Sequence, residues 1–252
     1  EGRLQVVYLS GFPRTGTTVL KYYFADYPGL VMNAFDPAGF FVAWQRAQSL
    51  AAAEILVDKS NHYILSPGTL FRGLGRRMGL CVLTRDPRDS LLSLQTFPES
   101  REVPRDIRFW DYWAKTYANF MDFASSTKYG ERVLFMRYED FIAHPIAAKR
   151  YYLQWLGLDT GRAEITNRYP LPSKREFRAD KVHDHSEIQA DGVQRWKEFS
   201  DSPEYGVLLN GWRGHTKARA MMETFGYVSD GVANPAMEHA NFRFFTPSSE
   251  TD

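Results

Sequence analysis

Residues 4–20, LQVVYLSGFPRTGTTVL, leave the backbone few arrangements. Val6-Val7-Tyr8-Leu9 is an apolar run too short for a typical helix and rich in strand formers. A glycine-bounded loop, Gly11 to Gly16, follows, and a helical pattern runs from Val19 to Tyr27. Strand, tight loop and helix in that order build a cradle for an anion. The two glycines let the chain turn tightly. The N–H groups at the helix start have no partner within the helix, and the helix dipole favours negative charge there. Thr17 and Thr18 add hydroxyls at the first turn. Arg14 adds a planar cation suited to phosphate oxygens.

The spacing of Gly11 and Gly16 matches the glycines of a phosphate-binding P-loop. The lysine of that motif is missing, because Thr17 stands in its place, and Arg14 carries the positive charge three residues earlier. That exchange argues against an ordinary NTPase. A bare strand-to-helix turn explains the glycines but neither Arg14 nor the pair of threonines.

The same alternation continues along the chain. Second, third, fourth and fifth strands are expected at Gly29 to Phe35, Glu54 to Val57, Leu80 to Thr84 and Arg132 to Arg137. Helices are expected from Asp36-Pro37 to Leu50, from Ser66-Pro67 to Arg77, after Asp86, from Ile107 to Lys128 and from Ala147 to Leu156. Asp86 as N-cap, Pro87 at the first position and Asp89 at the third fit a helix start. Five short apolar strands alternating with helices imply an α/β fold: a three-layer, mostly parallel central sheet with helices on both faces. Ligands of such sheets bind at the carboxyl ends of the strands. The polar clusters after strands one, three, four and five therefore gather on one edge. Beyond Gly157 the pattern weakens. Asp159 to His185 reads as charged surface loops, and Gly192 to Phe199 and Thr216 to Phe225 read as helical. The tail after Ser229 is polar apart from Phe242, Phe244 and Phe245.

Length and charge narrow the function. The 252 residues suit one large domain, with a core over about 4–227 and a polar tail over about 229–252. With 31 Lys+Arg against 30 Asp+Glu, the net charge is +1. A general nucleic-acid binder is more basic than that, so anions must be met by local clusters. The one cysteine, Cys81, sits in an apolar strand and reads as a buried, inert thiol. No apolar run reaches the length of a membrane span and no signal peptide is visible. The chain starts at Glu1 rather than Met, which leaves room for a longer parent; cytoplasmic residence is the expectation. The His183-Asp184-His185 run lacks a further ligand at useful spacing, so no metal site is expected. Trp110, Trp113 and Tyr117 have the spacing of a helix face turned to the core.

Arg85 and Ser93 lie eight residues apart, one at a strand mouth and one about two helical turns in. Together they suit a second phosphate; each alone reads equally well as an ion-pair partner and an ordinary helix residue. With these residues the chain resembles a known family. Phe12-Pro13-Arg14-Thr15-Gly16-Thr17-Thr18 is similar to the 5′-phosphosulfate loop of the PAPS-dependent sulfotransferases, where the position of Arg14 is lysine or arginine. Arg85 and Ser93, within TRDPRDSLLS, resemble that family's 3′-phosphate motif, spacing included. Tyr138-Glu139-Asp140-Phe141 resembles the segment whose tyrosine lies by the adenine, and GVQRWKEF at 192–199 resembles a C-terminal Gly…Trp-Lys segment. The likeness covers roughly residues 5–200 in order.

The resemblance implies the P-loop-NTPase-like sulfotransferase fold and transfer of a sulfuryl group from PAPS, with PAP as product, to a hydroxyl or amine. It implies that Arg14, Thr15, Gly16, Thr17 and Thr18 hold the 5′-phosphosulfate, that Arg85 and Ser93 hold the 3′-phosphate and that Tyr138 meets the base. Lys59 falls where the family carries a lysine on the transferring group. Many members place a histidine two residues after that lysine; here the position is Asn61, and His62 is one further. His62 is the first choice of base, its ordinary pKa suiting proton removal near neutrality. Asp36, where other members carry an acid, is the alternative, and it equally suits a helix cap. The family's Arg-Lys-Gly run is not evident, Ile188-Gln189-Ala190 standing there, and Arg178, Lys181 and Arg195 are the candidate replacements. The expected acceptor is a small molecule or a sugar, with no nucleic acid and no membrane span involved. A P-loop kinase or NTPase, and a PAP-binding domain without catalysis, are the competing readings.

Overall fold

The structure, a computed structural model, describes residues 6–25, 27–32, 54–59, 78–96, 103–126, 130–162, 164–168, 188, 193–227 and 243–245. Its centre is a six-stranded sheet whose pairings are all parallel. In chain order the strands are β1 (Val6–Gly11), β2 (Leu30–Met32), β3 (Ile55–Lys59), β4 (Met78–Thr84), β5 (Val133–Arg137) and β6 (Arg243–Phe244). Their order across the sheet is β2-β3-β1-β4-β5-β6. The chain leaves β1 towards one side of the sheet and returns to place β4 on its other side. A crevice opens at such a reversal, at the carboxyl ends of the strands. The register fixes who meets there: Leu9 pairs with Lys59 on β3, and Gly11 pairs with Leu83 on β4.

Strand alternation builds two cores, one on each face. Val6, Tyr8, Leu56, Leu80, Val82, Val133 and Phe135 face one cluster. It is closed by α2 (Pro87–Thr96), α3 (Arg108–Ser126) and α8 (Thr216–Thr224). Val7, Leu9, Ile55, Val57, Cys81, Leu83, Leu134 and Met136 face the other. There α1 (Thr17–Ala25), α4 (Tyr138–Ala143) and α5 (Pro145–Trp155) cover the sheet. Two short helices, α6 (Trp196–Phe199) and α7 (Gly206–Leu209), complete the described elements together with three single 3-10 turns. Both faces being covered explains why the strands are apolar along most of their length, with polar residues such as Asp58, Lys59 and Arg137 at their carboxyl ends.

The aromatic helix α3 is core, as its spacing predicts: Phe109, Trp110, Trp113, Tyr117 and Phe120 are all buried. Cys81 is buried as well, and burial pushes its thiol far up, which makes it inert. Tyr22 and Tyr23 pack within α1's buried side. Boundaries shift by a few residues: α1 begins at Thr17 rather than Val19, and β3 runs on to Lys59. Asn33 to Phe35 of the second predicted strand, and the predicted helices over 36–50 and 66–77, lie outside the described residues. The C-terminal strand β6 was not expected. It pairs Leu134 with Arg243 and Phe135 with Phe244, and buries Phe245. Among the described residues no helix is long and apolar enough to cross a membrane.

Phe24 lies flat on Tyr152 of α5, ring centroids 4.0 Å apart, and is fully buried. Phe24→Ala should lower stability by about 3–5 kcal/mol. A urea titration would show this as a lower midpoint at unchanged slope.

Candidate functional site

The loop between β1 and α1 is held open from behind. Phe12 is buried and packs edge-on against Phe109. Its N–H donates to the Tyr117 hydroxyl at 3.2 Å, which in turn donates to the Leu83 carbonyl at 3.0 Å. One hydroxyl thus ties the loop to β4, and burial pushes it far above the usual phenol range. Thr15 closes the turn, its N–H and hydroxyl both donating to the Phe12 carbonyl. Arg14 and Gly16 both take left-handed backbone, with φ of 73° and 89°. Gly16 accepts from the Leu20 N–H and so stands at the start of α1. A Cβ built there would collide with the Tyr138 ring. The loop amides and the first amides of α1 therefore face the mouth with the half-buried Thr18 and the buried Thr17 beside them.

The two predicted anion grips meet. Arg85 Nη1 donates to the Arg14 carbonyl at 2.9 Å, and Arg14 Nε donates to Ser93 Oγ at 2.9 Å. The Arg85 guanidinium lies over the Tyr138 ring, 4.7 Å from its centroid. Arg14, Gly16, Arg85, Ser93 and Tyr138, drawn from three strand mouths, thus form one contiguous surface. Lys59 ends β3 on the other side of β1. Burial pushes its pKa down to about 8, helped by the repulsion of Lys21 and Arg14. Three cations therefore converge on the first loop. Lys21, in the middle of α1 and only 4% exposed, was not singled out in the sequence. A lysine within an apolar helical pattern reads as a surface residue until its neighbours in space are known.

Behind the mouth lies a buried charged network. Asp86 Oδ1 accepts from the Arg88 N–H, capping α2 as the sequence predicts. Its carboxylate also pairs with the Arg88 guanidinium at 2.7 Å. Arg88 lies 3.6 Å over the centre of the Trp196 ring and donates to the Tyr227 carbonyl. Arg137 pairs with Asp140 at 2.6 Å and donates to the Phe225 carbonyl. Glu139 accepts from the Asp86 N–H at 2.9 Å and from the Tyr227 hydroxyl at 3.0 Å. Burial pushes the Glu139 carboxyl up to about 7, against the pull of the Asp86 N–H. Charges survive burial only when paired and hydrogen-bonded, as Asp86–Arg88 and Arg137–Asp140 are, whereas Glu139 is held by two donors and its charge is weakened by burial.

Asp89 stands in the first turn of α2 as the sequence predicts, and it has a second task. Its oxygens accept the N–H groups of Gln194 at 2.7 Å and Trp196 at 2.9 Å. Gln194 takes left-handed backbone, φ 58°, which is why the predicted helix over 192–199 starts only at Trp196. Arg195 is exposed. His62, Asn61, Asp36, Arg178, Lys181 and the 183–185 run lie outside the described residues. Among the described residues no group of three metal-ligating side chains is found.

A family model described as the sulfotransferase family matches residues 32–162. No curated protein sequence matches the chain. Among solved structures, the sulfotransferase domain from the curacin biosynthetic pathway is 16% identical. That match covers 88% of this chain and 97% of the domain, with a TM-score of 0.58. The sulfotransferase domain from the Synechococcus PCC 7002 olefin synthase is 18% identical over 88% of this chain and 96% of its own, TM-score 0.59. A mouse sulfotransferase complexed with PAP is 14% identical over 88% of this chain and 90% of its own, TM-score 0.53. At such identities the likeness is one of fold.

Two glycines make a matched test of the loop. Gly16→Ala meets both left-handed strain and the Tyr138 ring, whereas Gly157 (φ 73°) has open space around it. Gly157→Ala should cost about 1–2 kcal/mol from strain alone, and Gly16→Ala clearly more. Chemical denaturation of both variants would show the difference.

Proposed function

The chain belongs to the sulfotransferase family, and on that premise we propose that it moves a sulfuryl group from PAPS to a hydroxyl or amine of a small-molecule or sugar acceptor. The observation that carries this reading is the joining of the two anion grips through Arg14, Ser93 and Arg85. A mononucleotide triphosphate needs one long grip; an adenosine phosphorylated at both ends needs two, with an aromatic ring near them. Tyr138 supports the base, Arg85 and Ser93 hold the 3′-phosphate, and the loop amides with Thr17 and Thr18 hold the 5′ end. Thr15 serves by shaping the loop, since its hydroxyl is committed to Phe12.

Sulfuryl transfer, like phosphoryl transfer, asks mainly for in-line placement and for charge opposite the leaving oxygen. Arg14 and Lys59 supply that charge without a metal. The acceptor oxygen or nitrogen bonds to sulfur while the bond from sulfur to the bridging oxygen breaks, and the acceptor's proton passes to the base. His62, three residues after Lys59, is the proposed base, with Asp36 the alternative.

Incubation with labelled PAPS and a panel of acceptors, with and without Mg²⁺, tests the reading. PAP release that does not depend on the metal is the expected result. ATP-dependent turnover needing Mg²⁺ would favour a kinase, and PAP binding without turnover would favour a non-catalytic domain. Arg85→Ala should weaken PAP binding roughly 10- to 100-fold, the scale of a lost charge-assisted contact; an unchanged affinity removes Arg85 from the site. Lys59 sets the pH dependence. In the free site it loses its proton near pH 8, and only the protonated form attracts the anion. PAP affinity should be full below pH 8 and decline above it, by at most about tenfold per pH unit. In Lys59→Met that decline should flatten.

A further inference from the structure

Asp89 and Ser93 lie four residues apart, one turn along the start of α2, and Arg85 stands four residues before Asp89, just ahead of the helix at the mouth of β4. The two outer residues are those assigned above to the 3′-phosphate. The middle one is an acid, 2% exposed. A carboxylate between two phosphate holders repels the ligand, so its presence calls for a separate task. Both of its oxygens have one: they accept the N–H groups of Gln194 and Trp196. The left-handed Gln194 turns successive amides towards one point, the backbone arrangement that encloses an anion. Arg88, the residue before it, lies over the Trp196 ring and so contacts the same segment.

We propose that Asp89 is a positioning residue for recognition of the nucleotide 3′-phosphate: it clamps the 193–199 segment onto the turn that carries Arg85 and Ser93, and so holds that end of the site in its binding geometry. This rests on the nucleotide reading given above. Arg85 is the strongest attractive charge on the Asp89 carboxyl, which burial pushes up to about 6. Arg85 and the two amides are what keep it ionised at neutral pH.

The two roles of Asp89 predict opposite signs. As a mere charge near a phosphate, its neutralisation would tighten binding. As a clamp, its neutralisation loosens it. The experiment is calorimetric binding of PAP and of AMP, which lacks the 3′-phosphate, to the wild-type chain, Asp89→Asn and Asp89→Ala. The expected result is a loss of roughly 10- to 100-fold for PAP in Asp89→Ala, with a smaller loss in Asp89→Asn and AMP affinity little changed. Gln194→Pro attacks the clamp from the other side, since proline has no N–H and cannot take a positive φ. It should reproduce the PAP-selective loss even if the Asp89 variants fail to fold. PAP affinity that is unchanged or tighter, or PAP and AMP affinities that fall together, overturns the clamp. A wild-type chain that binds PAP no better than AMP overturns instead the nucleotide reading on which it rests.

Discussion

The contact between the Arg85 guanidinium and the Arg14 carbonyl joins what the sheet alone would only bring near. Parallel strands deliver their carboxyl ends to one edge, but neighbouring mouths of such a sheet are separate loops free to diverge. Here a charged donor from the mouth of β4 is fastened to the backbone of the loop after β1. Arg14 can present its carbonyl there because its backbone is left-handed, a conformation that costs energy for any residue with a side chain. The surrounding contacts hold it: Thr15 on Phe12, Phe12 on Tyr117, Tyr117 on Leu83.

That chain of contacts assigns distinct jobs to residues of similar chemistry. Arg88 and Arg137 are spent on buried carboxylates and on backbone carbonyls of the C-terminal region. They weld the segment after α8 to the mouths of β4 and β5. Arg14 stays half-buried at the crevice, and Arg85, itself buried, reaches the Arg14 carbonyl from the mouth of β4. Lys59 differs again, since burial, and after it repulsion from Lys21 and Arg14, lowers its hold on a proton. A site that gathers like charges in advance stores unfavourable energy that an anionic ligand relieves, and a perturbed lysine in a crevice is the physical mark of such a place.

Much of this was legible in the sequence. The β1 loop, the capped start of α2, the Arg85–Ser93 spacing and the apolar strands are all local patterns, and local patterns survive translation into structure. Periodicity also assigned the aromatics of α3 to the core. What the sequence withheld was mutual position. Nothing local marks Lys21 as a neighbour of Lys59, or Asp89 as the partner of amides more than a hundred residues away. Asp89 fits the start of a helix so well that its second task is hidden by its first. Glu139 and Tyr227 likewise meet only because β4, β5 and the segment after α8 converge. The short strand β6 was missed because two paired residues in a polar tail carry too little periodicity to be read.

That strand has a consequence for the sheet as a whole. An outermost parallel strand presents a row of unpaired amides and carbonyls, an open invitation to any other extended chain. β5 escapes that position because residues 243–245 lie along it, the Phe245 N–H reaching the Phe135 carbonyl and its ring meeting Tyr151. Residues 243–245 therefore act as a selvage: they finish the fabric where it would otherwise fray into its neighbours.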